Sequence, residues 1–158
     1  MSADAIFALL HILAAFWYVS GLTAVQVSLI RGWQSVDLKI RVESLEEASH
    51  YQGVLMVPGA IAGVATGVFL WAKLDYGLIS TGWVLALGAL YIATLLVCLP
   101  LIGMGLRRAR VAGLQARKAG SATADQESAM RDSVPLVFSG LATLLVPVMA
   151  VVAMFGAV

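Results

Sequence analysis

Charged residues are scarce in this chain. Asp, Glu, Lys and Arg make up 12% of the 158 residues, against about 25% in an average soluble domain. Apolar residues make up 61%, and the mean hydropathy is +0.93. A soluble fold of this size has too little interior to bury so much apolar surface. The composition therefore excludes a secreted enzyme, a nucleic-acid-binding domain and a disordered chain, and it favours an integral membrane protein.

Metal-ligating and nucleophilic residues are also few. The chain has one cysteine, Cys98, and two histidines, His11 and His50. A single cysteine cannot form an internal disulfide, and its apolar surroundings are typical of a small core residue. The sequence contains no H-x-x-x-H or H-E-x-x-H pair, no Gly-rich phosphate loop and no carboxylate pair within an apolar run. These absences disfavour a protease or a proton-coupled transporter, and we assign no catalytic residue.

Four apolar segments are long enough to cross a bilayer, which takes about 20 helical residues. They span approximately residues 6–30, 53–72, 83–106 and 134–158, and no charged residue lies inside them. Backbone groups in lipid must be hydrogen-bonded within the protein, and the strict alternation of a β-barrel is absent. We therefore predict one all-α domain over residues 1–158, folded as an antiparallel four-helix membrane bundle.

Basic residues indicate the orientation of the bundle. Nine of the ten Lys and Arg residues lie in the connecting segments 31–52 and 107–133, and only Lys73 lies on the other side. Short loops that are rich in Lys and Arg face the cytoplasm. We therefore predict that both segments are cytoplasmic and that both termini are periplasmic, in the inner membrane of a bacterium.

The two cytoplasmic segments carry helix signals of their own. Residues 44–47 (SLEE) and 123–126 (TADQ) match a capping box, in which a Ser or Thr precedes a Glu or Gln by three residues. We therefore predict that the second helix begins at Leu45 and that a short helix leads into the fourth span. Residues 107–118 are predicted to extend the third helix into water, and residues 119–124 to break it.

Small residues indicate how the second span packs. Glycines recur there at intervals of four, at Gly59, Gly63 and Gly67. Such a smooth face lets another helix backbone approach closely. We interpret it as a packing groove for another span of the same chain; a homodimer seam and the flat edge of a cofactor are the alternatives. Prolines inside the spans are expected to kink them. These are Pro58, Pro100 and Pro147.

Polar side chains inside a membrane are costly, so they are the first candidates for function. His11 lies about 8 Å inside the periplasmic boundary at 1.5 Å per residue. Tyr18 and Gln26 follow on the same helical face. This spacing predicts that the face carrying all three residues points into the bundle.

An antiparallel arrangement brings polar and sulfur-bearing residues of the other spans to the depth of His11. These are Thr66, Tyr91 and Met154. Imidazole and thioether groups are ligands of haem iron and copper. Three interpretations stay open. His11 forms an interhelical hydrogen bond; it ligates a b-type haem in a pocket lined by Thr66 and Tyr91; or it binds copper together with Met154, or relays protons.

Two features lie at the cytoplasmic side instead. His50 precedes the second span, so one haem cannot be bridged by His50 and His11 if the predicted spans are correct. The basic residues within 107–110 are interpreted as an anchor to anionic lipid that also sets the topology. The acidic face of a partner subunit is the alternative for the basic residues.

The first span, LLHILAAFWYVSGLTAVQ (residues 9–26), resembles the start of a bacterial family of four-span membrane proteins of unknown function. Its members begin with a Leu-His pair, then a Trp and a small-Gly step. The second span, MVPGAIAGVATGVFLWA (residues 56–72), is similar to that family's Pro-Gly followed by Thr-Gly, and Trp83 fits the start of its third span.

This family looks distantly related to copper-resistance D-type membrane proteins and to the haem-containing membrane protoporphyrinogen oxidase. The oxidase also has a Leu-His step in its first span, so the resemblance implies that His11 contacts haem. The oxidase relies in addition on a Lys at the start of a later span, and no Lys occupies the start of the third span here. The resemblance therefore implies a haem site rather than the oxidase reaction.

Three functions follow as hypotheses. The leading one is a small inner-membrane protein that binds b-type haem through His11 in a redox or haem-related role. The second is a non-catalytic accessory subunit of a larger membrane complex, which predicts small residues on a second helix face. The third is a copper-handling membrane protein. The expected partners are the lipid bilayer and a second copy or a larger membrane complex, and no nucleic acid is expected.

Overall fold

The computed structural model describes residues 3–73 and 81–156, and the elements that it defines there are all helical. This confirms the all-α prediction; the link between the second and third predicted spans, residues 74–80, lies outside the described residues. The α-helices in these ranges are α1 (Ala3–Gln34), α2 (Leu38–Tyr51), α3 (Val57–Lys73), α4 (Gly82–Ala93), α5 (Leu99–Ala119), α6 (Ala124–Arg131) and α7 (Val134–Gly156).

The helices combine into four long apolar stretches. Helix α2 continues into α3, and α4 into α5, through one π-helical turn each. Within the described ranges, four stretches are long and apolar enough to cross a membrane, which confirms the four-span fold. They are Asp4–Gln34, Leu38–Lys73, Gly82–Ala119 and Ala124–Gly156.

Each π-helical turn ends two residues before a proline. The turns are Gln52–Met56 before Pro58 and Thr94–Cys98 before Pro100. A proline inside an α-helix lacks an N–H, and its ring clashes with the carbonyl four residues back, which here falls inside the π turn. A π turn carries one extra residue and widens the helix at that point. The chain therefore accommodates these prolines by widening a turn, whereas Pro147 lies inside an uninterrupted α7.

Helix α1 packs on α2, α3 and α7, while α5 packs on α2, α6 and α7. The rings of Phe7 on α1 and Phe69 on α3 stack at 3.7 Å, and Trp83 on α4 lies next to Gly156 on α7. The start of α1 therefore lies beside the end of α3, and the start of α4 lies beside the end of α7. We call this side of the bundle the terminal end.

The opposite side, which we call the basic end, is formed by α2, α6 and the last three turns of α5. Apolar side chains continue the core into it. Ion pairs on its surface connect neighbouring helices: Arg31 of α1 lies 3.3 Å from Glu47 of α2, and Arg117 of α5 lies 3.4 Å from Glu46 of α2. Exposed pairs of this kind contribute little stability, so the apolar core holds the basic end together. Its fully buried side chains include Val42, Leu45, Ala48, Leu106 and Ala116.

At the basic end, one of the two helix starts predicted from capping boxes is confirmed. Thr123 caps α6 and accepts a hydrogen bond from the Gln126 N–H at 3.2 Å, but the Gln126 side chain makes no return bond to Thr123, so only half of the box forms. The predicted start at Leu45 is wrong, because α2 begins at Leu38. Asp37 is its N-cap and accepts from the Lys39 N–H at 2.8 Å. Ser44 therefore lies in the middle of α2 and is buried.

The extension of the third span is confirmed, since α5 continues to Ala119. It ends at Gly120, whose φ of +71° is a left-handed conformation that glycine adopts without strain. The predicted break over residues 119–124 is therefore confirmed as a helix end, a turn and a new N-cap.

Candidate functional site

The glycine-bearing face of α3 contacts two other helices. A Cβ atom built on Gly59 would lie 2.5 Å from the backbone nitrogen of Tyr18 on α1, and one built on Gly63 would lie 2.6 Å from the hydroxyl oxygen of Tyr91 on α4. Each position is therefore occupied by a neighbouring group that a larger residue would displace. The bare face brings the backbone of α1 close to α3 and admits the Tyr91 ring.

The third glycine on this face lies against the candidate histidine. A Cβ atom on Gly67 would lie 3.1 Å from the Cε1 atom of the His11 ring. The ring is half-buried between α1 and α3, near the terminal end. A residue with a side chain at this position would therefore push against the edge of the imidazole.

His11 is joined to α3 by a hydrogen bond. Its Nδ1 atom lies 2.9 Å from the hydroxyl oxygen of Thr66. The Thr66 hydroxyl in turn donates to the carbonyl oxygen of Ala62 at 2.7 Å. The roles of the two groups depend on the tautomer of the ring. In the tautomer with a proton on Nδ1, Thr66 accepts that proton and the Nε2 atom of the neutral ring carries the lone pair.

Tyr91 contacts the same face of α3 as His11 does, at a point about one and a half turns further from the terminal end than Thr66. Its hydroxyl donates to the carbonyl oxygen of Ala60 at 2.8 Å. The structure therefore joins His11 directly to Thr66, and it places Tyr91 beside the neighbouring glycine of the same helix. Tyr91 ties α4 to α3 across the bundle.

Met154 is placed differently. Its side chain is 64% exposed on α7, whereas the hydrogen-bonding partner of His11 comes from α3. Among the residues that the structure describes, no group of three or more His, Cys, Asp and Glu side chains is arranged to hold a metal ion. A metal ion at His11 would therefore take its remaining ligands from groups of another kind, such as the nitrogens of a porphyrin.

Two polar side chains of α1 that share the face of His11 also point inward. Tyr18 is 6% exposed, and its hydroxyl has no hydrogen-bond partner among the described residues. Gln26 accepts a hydrogen bond from the Thr143 hydroxyl at 3.1 Å, which links α1 to α7. Sequence reasoning missed Thr143, although a polar side chain inside the fourth span is itself the signal that could have found it.

Membrane-length apolar helices in an antiparallel bundle, with a histidine, a threonine and a tyrosine between them, define an integral membrane protein with a small intramembrane polar site. The chain matches the family model described as "Predicted integral membrane protein (DUF2269)" over residues 5–155, and it belongs to that family. No curated protein and no solved structure matches it.

Proposed function

We propose that this protein binds a b-type haem in a bacterial inner membrane, and that Nε2 of His11 would hold the iron. The hydrogen bond from Nδ1 of His11 to Thr66 is the observation that carries the proposal. Histidines that bind metals usually donate their other ring N–H to a neighbouring oxygen, which fixes the tautomer and the orientation of the ring. His11 has such a partner in Thr66, and in the tautomer with a proton on Nδ1 its Nε2 atom carries the lone pair.

The surroundings of His11 suit a large apolar cofactor. The His11 ring packs directly on Gly67, and the stacked rings of Phe7 and Phe69 lie between His11 and the terminal end, so the surroundings of the ring are apolar. Lys73 lies seven residues after Thr66, and therefore on the same face of α3. It is exposed and would pair with a haem propionate. Haem supplies a one-electron redox centre when bound, and the residues of this site would hold and orient it in the bilayer.

The visible spectrum tests this proposal. Protein purified from a haem-replete host should show a Soret band, which His11→Ala should abolish or shift. His50→Ala is the matched control, because His50 is exposed in the last turn of α2 at the basic end. Folded wild-type protein without a Soret band would contradict haem binding, and an unchanged band in His11→Ala would remove His11 as the ligand. Metal analysis of the same sample distinguishes iron from copper.

The outer surface of α4 favours a second candidate, an accessory subunit of a larger membrane assembly. None of the described residues of α4 is fully buried. Small residues follow one another along it at intervals of four, three and four, and all are exposed: Gly82, Ala86, Ala89 and Ala93. Faces of this kind let helices pack closely in lipid. This surface would contact a helix of a partner subunit or of a second copy.

The mass of the protein after extraction in a mild detergent tests the second candidate. Wild-type protein should run as a dimer or with a partner, and Ala86→Leu with Ala89→Leu should run as a monomer. Val137→Leu with Val148→Leu is the control, because both valines are exposed on α7. A wild-type monomer, under conditions that preserve known membrane complexes, would count against this function.

A further inference from the structure

Positive charge is concentrated on one helix at the basic end. The sequence of α5 contains five basic residues and no acidic one. Two of the five are neutralised by ion pairs, Arg108 with Asp132 at 3.6 Å and Arg117 with Glu46 at 3.4 Å. Among the residues that the structure describes, the other three have no ion-pair partner. They are Arg107, Arg110 and Lys118.

The nearby acidic residues of α2 are already paired. Glu47 lies 3.3 Å from Arg31, and Glu43 lies 3.9 Å from Lys39. Glu46 is the partner of Arg117. The carboxylates of α2 therefore do not neutralise the remaining charge of α5, and this charge faces outward.

Two of the three unpaired residues lie at the depth of lipid headgroups. Arg107 is the first charged residue after the apolar run that ends at Leu106, and Arg110 follows about 4.5 Å further along the helix. On the same side of α5, within the apolar run, Pro100 is exposed and Met104 is 60% exposed. An apolar surface that faces lipid therefore leads directly to two exposed guanidinium groups.

We propose that this face of α5, formed by Pro100, Met104, Arg107 and Arg110, is a binding site for an anionic phospholipid. The phosphate would lie between the two guanidinium groups, which bind phosphate oxygens in a bidentate manner. The acyl chains would lie along Met104 and Pro100. Basic residues beside a membrane span attract anionic lipid over a short distance. A protein partner would not account for the apolar continuation of the site into the bilayer.

Lipid binding to the purified protein in detergent tests the proposal. Phosphatidylglycerol and phosphatidylcholine are titrated separately, and bound lipid is counted by native mass spectrometry. The double variant Arg107→Gln with Arg110→Gln should lower the affinity for phosphatidylglycerol by roughly tenfold or more. Its affinity for phosphatidylcholine should stay unchanged.

The matched control is Lys39→Gln with Lys118→Gln. It removes the same charge from the same end. Along their helices, Lys39 lies about 21 Å from the start of the second apolar run at Gly53, and Lys118 lies about 18 Å from the end of the third at Leu106, and both are exposed. Because charges at this distance are screened by salt, the control should keep the wild-type affinity. If the double variant fails to fold, Arg110→Lys replaces it. That variant keeps the charge without the bidentate geometry and should bind with intermediate affinity.

Any one of three results would overturn the proposal. The Arg107→Gln with Arg110→Gln variant would bind phosphatidylglycerol as tightly as the wild type does, or both double variants would lose the same affinity. In the third, the wild type would bind phosphatidylglycerol and phosphatidylcholine equally.

Discussion

Tyr91 on α4 donates its hydroxyl proton to the carbonyl oxygen of Ala60 on α3, 2.8 Å away. Interhelical hydrogen bonds in membrane proteins contribute about 0.6 kcal/mol on average and up to about 1.7. We therefore expect Tyr91→Phe to lower the free energy of unfolding by about 1 kcal/mol, measured in mixed micelles of rising SDS content. Tyr51→Phe is the control, since Tyr51 makes an edge-on ring contact with His50 and no described hydrogen bond.

The effect of a methyl group on Gly63 should depend on this tyrosine. In Gly63→Ala the new Cβ would lie 2.6 Å from the Tyr91 hydroxyl oxygen but 3.6 Å from the ring carbon Cζ. We expect Gly63→Ala to destabilise the wild type by about 1–3 kcal/mol, as overpacking does. In the Tyr91→Phe background this loss should largely disappear, because only an ordinary van der Waals contact remains.

The same SDS titration measures the four states of this double-mutant cycle. Gly88→Ala is a suitable control, because a Cβ at Gly88 on α4 would have no neighbouring atom within 4 Å. Equal losses from Gly63→Ala in both backgrounds would show that the steric conflict lies elsewhere.

Thr66→Val should change the haem site without removing its ligand. Valine has nearly the shape of threonine, but it cannot accept the Nδ1–H proton of His11. Loss of such an outer-shell partner typically lowers metal affinity by 10–100-fold. We expect weaker haem binding and a shifted Soret band, read by titration of haem into the apoprotein. Thr143→Val, which removes the analogous bond to Gln26, should leave the spectrum unchanged.

The two candidate caps of α2 should respond in opposite ways to alanine. Asp37 accepts a backbone N–H at the true start of the helix, so Asp37→Ala should lower stability by about 1 kcal/mol. The Ser44 hydroxyl is buried without a hydrogen-bond partner among the described residues. Removing such a group is neutral or stabilising, so Ser44→Ala should keep or raise the midpoint of thermal unfolding. A larger loss in Ser44→Ala than in Asp37→Ala would refute this assignment.

The orientation of the bundle can be tested with cysteines. Cys98 is 3% exposed and should not react with a membrane-impermeant maleimide. Ser121→Cys, in the exposed turn after α5, should be labelled only from the cytoplasm, and Lys73→Cys, exposed at the end of α3, only from the periplasm. The reverse labelling pattern would show that the topology is opposite to the predicted one.

The spans were predictable because their signal is compositional. About 20 uncharged apolar residues form a helix in lipid whatever the rest of the chain does. The residue at which α2 begins was not predictable, because two capping signals compete within one segment. A Ser with a Glu three residues later resembles a cap in sequence, yet Asp37 provides a start seven residues earlier, and α2 then buries Ser44 against Gly32 on α1.

The candidate site was partly predictable in the same way. Depth and helical periodicity selected His11, Thr66 and Tyr91 as residues at comparable depths. Depth and periodicity do not show how each helix is rotated about its axis relative to its neighbours. This rotation determines that Thr66 contacts His11, while Tyr91 donates to Ala60 about one and a half turns away. Depth and periodicity also did not distinguish Met154, since an outward-facing position on α7 depends on which helices pack beside it.

The π-helical turns before Pro58 and Pro100 have a consequence for the whole chain. One extra residue in a turn rotates everything beyond it by about 100° relative to an unbroken helix. The two turns therefore set fixed angles between the two halves of each long helix. With these angles, α3 packs on α1, and α2 packs on both α1 and α5. Deleting one residue from either turn would make the helix regular and, at the same time, turn its aqueous part away from the neighbours that it now contacts.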